Sequence, residues 1–439
     1  MSTELHFVAP AKQEVPATPY WLKVLRGFPP NTYDQYVWFA AAQDGGLYLA
    51  ADTYDDTYAN IQGPTGHITP DGVLTFGNYG IWSPYDLCAT GEGWAYTALD
   101  GSYSYSAIFR LDELNGLQWA KRWTGAEYSM SMMATTDVLW TGGDTAPSPH
   151  VGVFVSKIAD ADGAVQASWK LSHDTYAVSH SRVLVEGDVV YISYIVNRGG
   201  YNNNSHGVFA MTTAGVKLWD RTFTRADGWT YIGYDICLAD GYLYVVGGRF
   251  YAFPERDSHV FKISAATGEL VWTKKLASLP IGVSANIGGV VLYDDGIYVS
   301  VIYYLDGGLR GVTALLKMTS SGVIDRQLLL SHEGVNSLVH ANPLSKAGDS
   351  VMVGGGFYAD ILNDVGLTNF AGRLPLYPEA PVTFGPFTWE DTPFTYSFDD
   401  ITADMVVVSD YVTLTPAAYV LEDFAVPAYS PGIDHREIS

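Results

Sequence analysis

Along most of this chain apolar and polar residues alternate in short stretches, such as "YVWFAAA", "AIFRL", "VFVSKI" and "HVFKI", rich in Val, Tyr and Ile. A period of two places one face of each stretch against a core and the other outward, which predicts β-strands. The turns between strands recur. Acidic or glycine-bearing turns stand at Asp44-Gly45-Gly46, Gly91-Glu92-Gly93, Thr136-Asp137, Glu186-Gly187-Asp188, Asp240-Gly241, Asp294-Asp295-Gly296 and Gly348-Asp349. Successive turns are roughly 45 to 54 residues apart, the repeat length of a four-stranded propeller blade. There are seven.

A second turn series alternates with the first, at Asp71-Gly72, Asn115-Gly116, Asp162-Gly163, Ala214-Gly215, Thr267-Gly268 and Ser321-Gly322. Each follows a third strand and precedes a fourth, such as "LQWAKRW", "QASWKL", "KLWDRTF" or "LVWTKKL". The missing seventh fourth strand is expected at the N-terminus, where "YWLKVLRG" (20–27) has the same character and precedes the first blade's inner strand. An N-terminal strand completing the last blade removes the open edge of the ring. The predicted fold is all-β: a seven-bladed β-propeller of four-stranded antiparallel blades over 20–376. An extended arm over 1–19 and a C-terminal docking extension over 377–439 flank it.

The spacing Thr267-Gly268-x-x-x-Trp272, with weaker forms at Gly215/Trp219 and Gly116/Trp119, resembles the tryptophan-docking repeat of the quinoprotein propeller superfamily. That superfamily includes non-catalytic assembly scaffolds, and the resemblance is of that kind. Its quinone-dependent enzymes have eight blades, a vicinal cysteine pair and a calcium held by Glu, Asn and Asp. Here there are seven turns, and no such ligand set is recognisable; Cys88 and Cys237 lie far apart, in the echoed phrases "YDLCATGEGWAY" and "YDICLADGYLYV". The expectation is that no cofactor and no metal are bound, and that the tryptophans Trp119, Trp169, Trp219 and Trp272 pack blade against blade. "IADADGAV" (158–165) sits at a plain hairpin position, not a calcium loop. His173, His206, His259 and His332 recur at repeat positions, which predicts roles in the fold.

Charge narrows the partners. With 24 basic and 47 acidic residues the formal charge is −23, which repels a phosphate backbone and excludes nucleic acid. No apolar run reaches the roughly 18 to 20 residues of a membrane span, and the first residues lack the pattern of a secretory signal. No insertion into a membrane and no export by a signal peptide are expected.

The turns between strands one and two and between three and four are short, whereas the loops between strands two and three are long and rich in Tyr, Gly, Asn, Ser and Asp. Long loops on one rim of a rigid scaffold are where recognition resides, and tyrosine contributes contact area at low entropic cost. The candidate binding residues are Tyr54, Tyr58, Tyr103, Tyr105, Tyr201, Asn203, Phe250, Tyr251, Tyr303 and Tyr358. The segments joining fourth to first strands add Trp82, Trp229, Asp86 and Asp235, the two aspartates at equivalent repeat positions near the channel mouth. Accepting hydrogen bonds from neighbouring blade backbone and contacting a ligand or cation are both open to them.

These features together predict a non-enzymatic binding propeller of the bacteriophage tail-fibre or tail-tip kind. It would be assembled in the host cytoplasm into a virion, joined to other virion proteins through both arms as part of an oligomeric assembly, and turned by its rim toward a host-surface glycan or another protein. The alternatives are a polysaccharide hydrolase or lyase, with acid–base carboxylates converging in the rim funnel, and a cellular assembly scaffold.

Overall fold

The computed structural model describes residues 20–423 except 26–32, 43, 55–60, 63, 79–82, 100–104, 125–126, 146–151, 199–203, 226–231, 249–257, 278, 280–282, 294–295, 306–309, 334–337, 348, 361–364 and 394–395. Seven antiparallel blades follow in chain order: blade 1 over 33–78, blade 2 over 83–123, blade 3 over 127–172, blade 4 over 177–225, blade 5 over 232–277, blade 6 over 284–332 and blade 7 over 338–375. Strands run from the axis outward within each blade. Blade 4, for example, orders Ala177–Glu186, Val189–Asn197, Asn204–Thr212 and Lys217–Arg225.

Blade 7 has three strands of its own, and Trp21–Leu25 pairs antiparallel with Val365–Pro375 to become its fourth. The predicted closure is therefore present. The tryptophan series also packs as expected, each fourth strand reaching the next blade's hairpin. Trp119 Nε1 donates to Asp160 O at 2.8 Å, Trp219 Nε1 to Ala265 O at 2.9 Å and Trp272 Nε1 to Ser320 O at 3.3 Å. Trp21 Nε1 donates to Pro70 O at 3.0 Å, carrying the same device across the join between blades 7 and 1.

Basic residues of the third strands join these nodes. Arg110 Nε meets Asp160 Oδ1 at 2.5 Å, and Lys262 Nζ donates to Ser320 O at 2.8 Å. The hairpin glycines are required at these nodes. Gly215 has φ +83° and faces Trp169 so closely that a Cβ there would lie 1.9 Å from the indole Nε1. A side chain would have to displace the ring. The core lies between blades, in clusters such as Trp140, Val155, Trp169, Val185, Ile192 and Phe209.

The C-terminal extension docks on its own propeller. After Leu376 a hairpin, Val382–Phe384 and Phe387–Thr392, adds to the outer strand of blade 6. Ser397–Asp400 then pairs with the outer strand of blade 5, Met405–Ser409 with blade 4, Thr413–Pro416 with blade 3 and Leu421–Asp423 with blade 2. The tail thus runs backward around the ring as a belt, one antiparallel fifth strand per blade. Its last four strands begin at 397, 405, 413 and 421, so one step between blades takes eight residues. Over 382–423 the extension therefore docks on its own propeller, with the inner edge of the belt paired to the same chain.

Candidate functional site: the propeller axis

The inner strand of every blade breaks register once. The breaks fall between Asp34/Tyr36, Pro84/Asp86, Ser129/Ser131, His180/Arg182, Gly233/Asp235, Ile287/Gly289 and Pro343/Ser345. A bulge re-aims the side chain beside it and sharpens the local twist. Repeated seven times, it places Tyr36, Asp86, Ser131, Arg182, Asp235, Gly289 and Ser345 at one equivalent level of the innermost strands.

Three of these side chains link consecutive blades in one way. Asp86 Oδ2 accepts from Met132 N at 2.8 Å, Ser131 Oγ from Val183 N at 3.1 Å and Asp235 Oδ2 from Val290 N at 3.0 Å. Each donor is the residue directly after the equivalent position of the next blade. Arginine has no acceptor, so this link cannot run from blade 4 to blade 5. Ile236 N, the donor left over there, turns to its neighbour's Asp235 Oδ1 at 3.0 Å.

Arg182 instead bridges two carboxylates. Its Nη1 lies 2.5 Å from Asp86 Oδ2 in blade 2, and its Nε lies 3.4 Å from Asp235 Oδ1 in blade 5. The Asp86 carboxylate raises the affinity of the guanidinium for its proton further, against the cost of burial. Burial pushes the Asp235 carboxyl up, and Arg182 together with the Val290 and Ile236 N–H groups pulls it back. The result is a positive group held between two acids, both of them oriented by backbone N–H groups.

Sequence reasoning placed Asp86 and Asp235 at one repeat position and missed Arg182 as their partner. The signal was there: Asp86, Arg182 and Asp235 each stand five residues before the first-series turn residues Gly91, Gly187 and Asp240. Both cysteines are unbridged, and burial raises both thiols, which leaves them poorly reactive. Among the described residues no group of three or more His, Cys, Asp or Glu is placed to hold a metal ion.

Of the rim candidates, Tyr105 is exposed and the Arg122 guanidinium lies over its ring, 5.1 Å from the centroid. Tyr303 is the exception to the rim reading, at 3% exposure. Its hydroxyl donates to Gln327 Oε1 at 3.3 Å and its ring packs on Tyr396, so it belongs to the core between blades 5 and 6. The inward face of its strand, not the loop beyond, claims it. Tyr58, Tyr103, Tyr201, Asn203, Phe250, Tyr251, Trp82 and Trp229 lie outside the described residues, as do the side chains of Tyr54 and Tyr358.

No family model matches the sequence, and no curated protein matches it. Among solved structures the chain is similar to the subtype N10 neuraminidase-like protein of A/little yellow-shouldered bat/Guatemala/060/2010, at 9% identity and TM-score 0.40, covering 80% of this chain and 99% of the other. The quinohemoprotein alcohol dehydrogenase ADHIIG from Pseudomonas putida HK5 matches at 10% identity and TM-score 0.44, over 82% of this chain and 79% of the other. The Dos1 propeller matches at 12% identity and TM-score 0.43, over 84% and 95%. The blade count, the axial bridge and the belt described above rest on this chain's own pairing.

Proposed function

We propose that this chain is a non-enzymatic recognition and assembly propeller whose long-loop rim makes the contact. One observation carries the reading: at the axis the described side chains Asp86, Arg182 and Asp235 are committed to one another. Arg182 bridges Asp86 and Asp235 across blades 2 to 5, and the two carboxylates accept backbone N–H groups as further partners. A carboxylate pair serving as acid and base has to face a substrate with one proton available between them. Here the arginine stands in that place and ties the blades together.

The finer reading is a bacteriophage tail-fibre or tail-tip protein within a virion. The acidic surface, the aromatic and small polar composition of the rim loops and the armoured circumference support it. With 382–423 committed to the propeller itself, attachment to other virion proteins falls to the segment 1–19 and the two faces of the ring. The rim meets a host-surface glycan.

The test is a screen of the purified protein against bacterial surface polysaccharides, reading bound fraction and released reducing ends together. Binding without cleavage, weakened by Tyr105→Ala and by alanine at the other rim tyrosines, supports this reading. Release of reducing ends overturns it in favour of a polysaccharide-cleaving enzyme.

A further inference from the structure

The belt is held in two different ways along its length. Its opening hairpin is anchored in the core: Phe387 and Trp389 are buried between blades 6 and 7, and Trp389 Nε1 donates to Pro375 O at 2.8 Å. Beyond it the anchoring thins. Between 397 and 423 only Val412 is buried, and every other described side chain is partly or fully exposed.

What holds those four strands is backbone pairing, charge and half-buried packing, in which Phe398, Met405, Tyr411, Leu414, Tyr419 and Leu421 lie against the cores between blades and Asp220 accepts from Val412 N. Lys274 Nζ meets Asp400 Oδ2 at 2.8 Å, Lys217 Nζ meets Asp410 Oδ1 at 2.8 Å, Lys121 Nζ meets Asp423 Oδ1 at 3.0 Å, and Arg122 pairs with Glu422. Exposed pairs of this kind contribute about 0–1 kcal/mol each. The outer strands of blades 5, 4 and 2 therefore present cations on an acidic molecule, met by Asp400, Asp410, Glu422 and Asp423 of a tail whose strands start at an eight-residue step. An identical segment from another molecule meets the same ladder, the same cations and the same step. The anchored hairpin hands over to the loose part through the exposed Pro393, which cannot extend a ladder inward.

We propose that residues 397–423 are an exchangeable clasp that can leave blades 5 to 2 of its own propeller and lie on blades 5 to 2 of a second copy, which returns its own clasp. The contact is isologous, since the same belt strands and the same outer strands serve both partners, and it closes at two copies. It goes beyond the rim reading and is independent of what the rim binds. The occupant is a second copy because its charge pattern and its step are those the outer strands already fit.

The test uses the full-length chain with cysteines at facing positions. Ser172 in blade 3 pairs with Thr413 of the clasp, and Thr224 in blade 4 pairs with Val406. Separately purified Ser172→Cys and Thr413→Cys chains are mixed, incubated and mildly oxidised, then resolved without reductant. The expected result is a disulfide-linked heterodimer absent from either variant alone. In the double variant Ser172→Cys/Thr413→Cys, the linked-dimer share should rise roughly in proportion to protein concentration. The Thr224/Val406 pair repeats the test should the first pair perturb folding. Cross-links that stay within single chains at every concentration, with no heterodimer on mixing, overturn the proposal.

Discussion

Val412, in the belt, donates its backbone N–H to Asp220 Oδ2 at 2.7 Å, across 192 positions of sequence. Asp220 has 0% exposure and also accepts from Tyr194 Oη at 2.6 Å. Burial raises its carboxyl pKa, while the Tyr194 hydroxyl and the Val412 N–H pull it down. Here a buried carboxylate ties the belt to the interior of blade 4.

Asp220→Ala leaves the Val412 N–H without its acceptor and removes one partner of the Tyr194 hydroxyl, each buried donor costing about 1–3 kcal/mol. A loss of about 3 kcal/mol is expected in denaturant unfolding. Belt amides near Val412 should exchange with solvent faster than those of the anchored hairpin. An unchanged exchange pattern would show that the tie does not hold the belt.

Replacing Arg182 by methionine leaves two carboxylates facing each other at the axis. Breaking a fully buried pair costs about 3–5 kcal/mol. The Arg182 side chain is 35% exposed, so solvent screening reduces this to about 2 kcal/mol. Adding Asp86→Asn and Asp235→Asn to Arg182→Met should recover part of the loss, which a thermal unfolding series would measure. A triple variant no more stable than the single one would assign Arg182 a packing role instead.

His206 and His259 are buried, and burial depresses both imidazoles, His206 to about 4 and His259 well below its ordinary value. The folded state therefore resists the protons that the unfolded chain accepts near pH 6.5. Stability from these groups is present above about pH 6.5 and is lost as pH falls from there toward 4. For His206, whose Nε2 lies 2.8 Å from Ser193 Oγ, substitution by glutamine should flatten that part of the stability curve, followed by unfolding at half-unit pH steps. A slope unchanged in His206→Gln would remove this histidine from the acid response.

Gly215→Ala sets a Cβ into the Trp169 indole at a φ of +83°. Strain at this backbone conformation costs about 1 kcal/mol or more, and displacing the ring adds to it. The expected destabilisation is about 2–3 kcal/mol. Gly187→Ala, also at positive φ but with open space around its Cβ, should cost the backbone part alone. Equal losses at the two sites would mean that the Trp169 contact contributes nothing.

The blades were legible because their signals are local and repeated. Seven turn positions and a tryptophan three to six residues after a hairpin glycine indicate strand order and blade packing, and the fourth-strand character of "YWLKVL" indicates closure at Trp21 before any contact is known. The belt was legible only as strand-prone segments without a core of their own. Segments such as "MVVVS" and "TLTP" carry little burial pattern, since an outermost strand faces solvent on its sides and gains its place from backbone pairing. Arg182 was missed for another reason. Its partners lie two blades away in one direction and one in the other, and a bulge decides which residue points inward. Tyr303 was misplaced because a tyrosine at the end of a strand can serve the rim or the core, and the sequence alone does not give the phase.

The belt spans the interfaces of blades 6 and 5, 5 and 4, 4 and 3, and 3 and 2, while among the described residues no belt strand lies on the outer edge of blades 7 and 1. A ring hooped over part of its circumference parts where the hoop is missing. Heat or pulling should therefore open this molecule first at the seam where Trp21 rests on Pro70, with blades 2 to 6 separating afterwards as one piece.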